Sequence, residues 1–271
     1  MPFGHLPVEL VRYILELAAS HRPTAMSLCV VSKEVHRWSI PLLYHTVTLP
    51  RLRTFEQLFQ LFARPDHPTH IDLIKNLYVS RSLSLIRYSL RGCTTLKNLV
   101  LSHYDSAYIS EIPATVTHLT IQNCERFLCH ASYDSVTHLY LPNYEAPSRY
   151  HTWTPEKLPR LTHIVWGMIA APDPAELSLF LTPLVEKGFD KLRVIGLQVV
   201  LEQLDFLPSE AERLEAVFQA SPFRDNEKVV VLPRYPSFDE SVWSGWFEGG
   251  EDVWETAERL LSLKVRPIGN N

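Results

Sequence analysis

Apolar residues return at regular intervals along the middle of the chain. The pattern apolar-x-x-apolar-x-apolar occurs six times, and its middle residues are Leu77, Leu99, Leu119, Leu139, Ile164 and Ile195. The spacings between these residues are 22, 20, 20, 25 and 31. Because successive side chains of a strand point to opposite faces, each pattern predicts a short strand with an apolar inner face. One repeat cannot bury that face alone, so the strands are predicted to stack into a mostly parallel, curved sheet.

The connections between the predicted strands are irregular. We predict that the sheet begins near residues 47–49 and ends near 229–232, with helices over 54–63, 174–187 and 209–220. The first four spacings lie within the range of roughly 20–29 residues that leucine-rich repeats use. The ninth position of such a repeat favours asparagine or cysteine, but it is Cys124 in one repeat and Tyr104 or Tyr144 in others. The fold class predicted is α/β, as an irregular leucine-rich-repeat-like solenoid.

The first 44 residues have a different, helical pattern. Apolar residues recur at three- and four-residue steps over 6–19, and Pro7 suits a first helical position. A second short helix is predicted over 25–31, capped by Thr24. A third follows Ser32 as its cap, and Pro41 is predicted to mark its end. Three short helices bury little, and their apolar residues exceed what they can cover, so the segment predicts a partner surface.

These residues also resemble a known module. LPVEL at 6–10, Ile14–Leu15, SLCVVSK at 27–33, Trp38 and PLLY at 41–44 are similar to an F-box, and fungal F-box proteins share this layout along most of the chain. The resemblance implies a three-helix domain at 1–44 that binds the Skp-type adaptor of cullin–RING ubiquitin ligases. It further implies that certain residues form the adaptor-facing and core positions: Leu6, Pro7, Leu10, Ile14, Leu28, Val31 and Trp38. The plainer alternative is a set of amphipathic helices that cap the solenoid.

The second predicted domain covers 45–271 and changes character near its end. Residues 237–261 contain Trp243, Trp246 and Trp254, with a Gly249–Gly250 break before a helix predicted from about 251 to 263. A stack of repeats needs its last apolar layer covered, and bulky aromatic residues do this well. We therefore interpret about 209–271 as a C-terminal cap over the open end, with ligand binding by the tryptophans as the alternative.

Composition narrows the function classes. The chain has 271 residues and a formal net charge of −4, which indicates neither a nucleic-acid nor a membrane partner. Its four cysteines form no C-x-x-C pair, so we expect free thiols in a reducing compartment, the cytoplasm or nucleus. The motifs of common hydrolases, nucleotide-binding proteins and zinc proteases are absent, and we predict no catalytic residue, cofactor or metal.

A repeated V/L-T-H-L/I motif places His118, His138 and His163 at the same position of three strands. By alternation they are predicted to lie on the solvent-facing side of the sheet, in a column. Zinc is disfavoured, because ligands must converge and a flat row does not. We predict instead a target-facing polar ladder: Asn98, His118, Thr120, Gln122, His138, Tyr140 and His163, with Asn76 beside it. Charged histidines would repel, so binding should weaken below about pH 6.5. The alternative is an exposed face with no ligand.

The F-box resemblance, together with the predicted solenoid, implies a non-catalytic substrate receptor of an SCF-type cullin–RING ubiquitin ligase. The helices would bind the adaptor and the solenoid an unidentified target protein. Two alternatives stay open. One is an F-box scaffold that works outside degradation. The other is a small-molecule enzyme or sensor on an α/β scaffold, which would need a deep pocket with convergent titratable groups.

Overall fold

The chain begins with three short helices. The computed structural model describes residues 6–19, 21–49, 71–80, 90, 93–102, 112–122, 133–142, 154–186, 188–201, 209–233, 235–236, 240–247 and 250–265. The helices are α1 (Val8–Ala18), α2 (Arg22–Leu28) and α3 (Lys33–His45). The next residue after α3, Thr46, begins the first strand. No linker therefore separates the helices from the sheet.

The helix starts and ends differ in part from the prediction. Ser32 caps α3 as predicted, since its hydroxyl accepts a hydrogen bond from the Val35 N–H at 3.2 Å. The start predicted for α2 is wrong: it begins at Arg22, three residues early, because Pro23 fits a first helical turn without losing a hydrogen bond. Pro41 does not end α3, which continues to His45. One lost backbone hydrogen bond is tolerated because the last turn packs Tyr44 against the main core.

The sheet consists of parallel strands in chain order. Its strands are β1 (Thr46–Leu49), β2 (Asn76–Ser80), β3 (Asn98–Ser102), β4 (His118–Ile121), β5 (His138–Leu141), β6 (His163–Met168), β7 (Val194–Leu201) and β8 (Val229–Val231). Each strand pairs with the next, and a short β9 (Tyr235–Pro236) pairs with the end of β7. The six middle residues of the repeats align across the sheet, from Leu77 to Ile195. The predicted α/β class, parallel pairing and register are confirmed.

The inner face of the sheet forms the main hydrophobic core. Leu77, Leu99, Leu119, Leu139 and Ile164 are almost completely buried there. The helices α4 (Pro174–Glu186) and α5 (Ser209–Gln219) pack on this face through Phe180 and Phe218, among others. Their predicted positions are confirmed. The predicted helix over 54–63 lies outside the described residues.

The C-terminal helices lie on the outer face, which corrects the predicted cap over the open end. They are α6 (Glu240–Phe247) and α7 (Val253–Val265). Trp243, Trp246 and Trp254 join a second hydrophobic core with the outward residues of the strands, such as Tyr140 and Val165. The physical reason is that both faces of the strands are apolar, so the outer face also has to be covered.

Two further observations concern the cysteines and the length of the helices. Within the described residues, Cys29 and Cys93 form no disulfide, and burial raises the pKa of Cys93 to about 12. Among the described helices, none has the length and apolar character needed to cross a bilayer.

Candidate protein-interaction surfaces

The helices at the start of the chain present an uncovered apolar surface. Twelve large hydrophobic residues are exposed among the described positions, and nine of them lie between residues 6 and 31. We call these nine the N-terminal apolar surface: Leu6, Val8, Leu10, Tyr13, Ile14, Leu17, Met26, Val30 and Val31. Helix α1 has a strongly amphipathic sequence, yet it has no buried residue. A patch of this kind is typical of a protein-binding site.

The residues assigned to adaptor binding divide between this surface and the bundle interior. Leu6, Leu10, Ile14 and Val31 are exposed by 43%, 49%, 42% and 65%. Pro7 is also exposed and forms the N-cap position of α1. Leu28 and Trp38 are half-buried. Val30, at 86%, is the most exposed large hydrophobic residue described, and the sequence prediction omitted it.

The outer face of the sheet carries a continuous row of polar side chains. At its beginning, the Asn98 amide donates to the Asn76 carbonyl oxygen, and the Asn76 amide donates to Thr46 at 2.9 Å. At the other end of the strands, Ser102 donates to Gln122 at 2.7 Å. These side chains therefore hydrogen-bond to one another across neighbouring strands, as buried polar groups require.

The three histidines form a stacked column, as their register predicts. The rings of His118 and His138 lie 4.1 Å apart between centroids, and those of His138 and His163 lie 4.2 Å apart. They are inclined by only 12° and 6°. Each Nδ1 lies 2.8 to 2.9 Å from the hydroxyl of the preceding threonine, which fixes the ring orientation. Parallel rings point their nitrogens side by side and do not converge on one point. No metal-binding group of three or more side chains occurs in the described part of the chain.

Helix α7 covers the column. The Trp254 ring meets His118 and His138 edge-on, with centroids 5.1 and 5.4 Å away. The Glu258 carboxylate lies 2.8 Å from His163 Nε2. Because a carboxylate without a proton can only accept a hydrogen bond, Nε2 carries the proton in this pair. The column thus lies between the strands and helix α7, which begins 90 residues after His163.

Burial lowers the pKa of all three histidines of the column. Desolvation, with smaller contributions from neighbouring imidazoles, lowers the pKa of His118 to about 4 and that of His138 to about 3. The pKa of His163 is also lowered by desolvation, although Glu258 opposes the shift. The lowered pKa values of His118 and His138 therefore do not support the expectation that this face responds to pH near 6.5 in the folded protein.

The predicted target-facing ladder is largely inaccessible. Tyr140, Thr120, His163 and Gln122 are 0%, 2%, 5% and 7% exposed. The remaining three residues, Asn98, His118 and His138, are half-buried. The prediction of a solvent-facing side is wrong, because α6 and α7 occupy it.

The sequence did contain a signal for this cover. The outward positions Tyr78, Val100, Tyr140, Val165 and Val194 are apolar, so the strands are nearly continuous apolar runs. Such runs are typical of parallel strands buried on both faces, whereas a half-exposed strand alternates apolar and polar residues. The prediction of a solvent-facing side rested on the histidines and did not include these apolar positions.

The fold defines an α/β protein with a helical start and a parallel sheet covered on both faces. In comparisons with known proteins, the chain matches no family model, no curated protein and no solved structure. The resemblance of residues 1–44 to an F-box therefore stays a prediction from the residues themselves.

Proposed function

We propose that this protein is a substrate-recognition subunit of an SCF-type cullin–RING ubiquitin ligase and that the N-terminal apolar surface binds its Skp-type adaptor. The observation that carries the proposal is the concentration of exposed apolar residues at 6–31. Leaving a leucine or valine side chain exposed costs about 1.5–3 kcal/mol relative to burying it, so a partner would gain much by covering several of them. The same positions carry the F-box-like sequence.

In this proposal the protein acts without catalysis, cofactor or metal. It would hold a target near ubiquitin that is carried by another subunit, so that proximity accelerates a reaction performed elsewhere. The cytoplasm and nucleus, where such ligases work, are the compartments proposed. The target would not bind the outer face of the sheet, because the chain's own helices cover it.

The test is co-purification of the full chain with a Skp-type adaptor. Wild type should bind in a one-to-one complex, and Leu6→Ala/Leu10→Ala should abolish binding while leaving the circular dichroism spectrum unchanged. Ile169→Ala/Leu179→Ala is the matched control, because both residues are exposed apolar residues outside the N-terminal apolar surface. It should bind like wild type. Failure of well-folded wild type to bind would overturn the proposal.

A further inference from the structure

The edge of the sheet where the strands begin contains a cavity of about 380 Å³. Its walls come from the tight turns that precede β4, β5, β6 and β7, so four consecutive repeats contribute. We call it the strand-entry trough. Its lining includes Ala114, Tyr133, Asp134, Ser135, Arg160 and Lys191. The volume lies within the range of about 300–1,000 Å³ that ligand sites usually have.

The trough is rigidly built. Tyr133, in its wall, is only 2% exposed, and its N–H donates to the Lys157 carbonyl of the next repeat at 2.8 Å. Successive turns are tied to the strands by backbone hydrogen bonds, such as those from Thr137 to Thr117 and from Thr162 to Thr137. A ligand would therefore meet a preformed surface, which lowers the entropy lost on binding.

The negative and positive side chains of the trough lie at different positions along its length. Asp134 lies before β5, whereas Arg160 and Lys191 lie before β6 and β7. Both cations are exposed, and neither forms an ion pair within the described residues. Two unpaired cations from adjacent repeats are suited to carboxylates spaced along a chain, since each can form charge-assisted hydrogen bonds.

From this arrangement we infer that the strand-entry trough binds an extended acidic segment of a partner protein. Four parallel strands about 4.8 Å apart place their turns over about 14 Å, a length that four or five extended residues cover. The acidic residues of the segment would lie over Arg160 and Lys191. Only one part of this inference rests on the proposed function, namely that the acidic segment belongs to the target of the ligase.

The test uses the full chain and a fluorescein-labelled peptide of six glutamates flanked by glycines, followed by fluorescence anisotropy. Wild type should bind it, and an otherwise identical glutamine peptide should bind much more weakly. Arg160→Glu/Lys191→Glu should weaken glutamate binding by about tenfold or more, since it removes two charged contacts. Arg213→Glu/Arg224→Glu changes the net charge equally at exposed positions outside the trough and should bind like wild type.

Two results would overturn the inference. One is equal glutamate binding by wild type and Arg160→Glu/Lys191→Glu, and the other is no preference of wild type for glutamate over glutamine. Adaptor co-purification does not depend on the trough. Co-purification of Arg160→Glu/Lys191→Glu with the adaptor therefore tests the proposed function, whereas peptide binding by the same variant tests this inference.

Discussion

At the scale of single residues, the protonation state of the histidine column depends on helix α7, which covers it. An isolated histidine takes a proton at about pH 6.5, but Trp254 and the neighbouring rings exclude the water that would solvate the charge. In the unfolded chain this exclusion is lost. Stability is therefore linked to pH through His118 and His138 even though both stay neutral in the folded protein.

We expect the unfolding free energy to fall as the pH is lowered from 7.5 to 5.0. The folded-state pKa values are lowered, so the stabilisation is complete above pH 6.5 and is lost progressively toward about pH 4. Each of the two histidines should contribute roughly 1–2 kcal/mol of this loss. In His138→Phe, which keeps a ring in the column but cannot be protonated, urea unfolding should show a correspondingly smaller loss.

His21→Gln is the control for this measurement, because His21 is exposed and lies outside the column. It should lose stability with pH as wild type does. The raised pKa of Asp252 acts in the opposite direction, but it is common to the proteins compared and cancels. Equal pH dependence of wild type and His138→Phe would contradict the expectation.

At the scale of elements, helix α7 is fixed at both ends. Asp252 and Glu255 form a capping box at its start, since Asp252 Oδ1 accepts from the Glu255 N–H at 2.7 Å and Glu255 accepts in return from the Asp252 N–H. Near its end, Lys264 Nζ donates to two backbone carbonyls of the segment before β8 and to the carbonyl of the first residue of β8. Both contacts position the helix over the histidines.

Lys264→Met should loosen the end of α7. The change removes hydrogen bonds of 2.7, 3.1 and 3.1 Å to the carbonyls of Arg224, Asn226 and Val229. Because the ammonium is partly solvated, we expect a loss of about 1 kcal/mol in unfolding free energy. Hydrogen exchange of the α7 amides should become faster. Arg259→Met, on the exposed side of the same helix, should have a smaller effect, and equal effects of the two variants would contradict the anchoring role.

At the scale of the whole molecule, apolar surface is distributed unevenly. The strands of the sheet are buried on both faces, while the N-terminal apolar surface is left uncovered. An isolated protein with such a patch tends to associate with itself through it. The patch therefore affects behaviour in solution even before any partner is identified.

Leu10→Gln/Leu17→Gln/Val31→Gln should reduce self-association of the isolated protein in sedimentation velocity experiments. The three side chains are 49%, 58% and 65% exposed, so the change in unfolding free energy should stay within about 0.5 kcal/mol for each site. Ile169→Gln/Leu179→Gln, outside the patch, should leave self-association nearly unchanged. A large loss of stability in the triple variant would mean that these residues support the fold instead of facing a partner.

The sequence by itself determined the sheet. The repeat spacing predicted the strands, their parallel order and the alignment of His118, His138 and His163, because the inward residues of each strand pack against those of its immediate neighbours. The same local reasoning predicted α4, α5 and the Ser32 cap. It failed for the start of α2, where Pro23 fits the first helical turn, and for the end of α3, where packing on the main core tolerates Pro41 within the helix.

Only the tertiary structure determined that the outer face of the sheet is buried. Trp254 and Glu258 cover the three histidines of the predicted target-facing set, and Glu258 follows its partner His163 by 95 residues. Local periodicity carries no information about which distant segment returns to a given face. The lowered pKa values of the column and the charge arrangement of the strand-entry trough likewise arise from contacts between repeats, which no single repeat specifies.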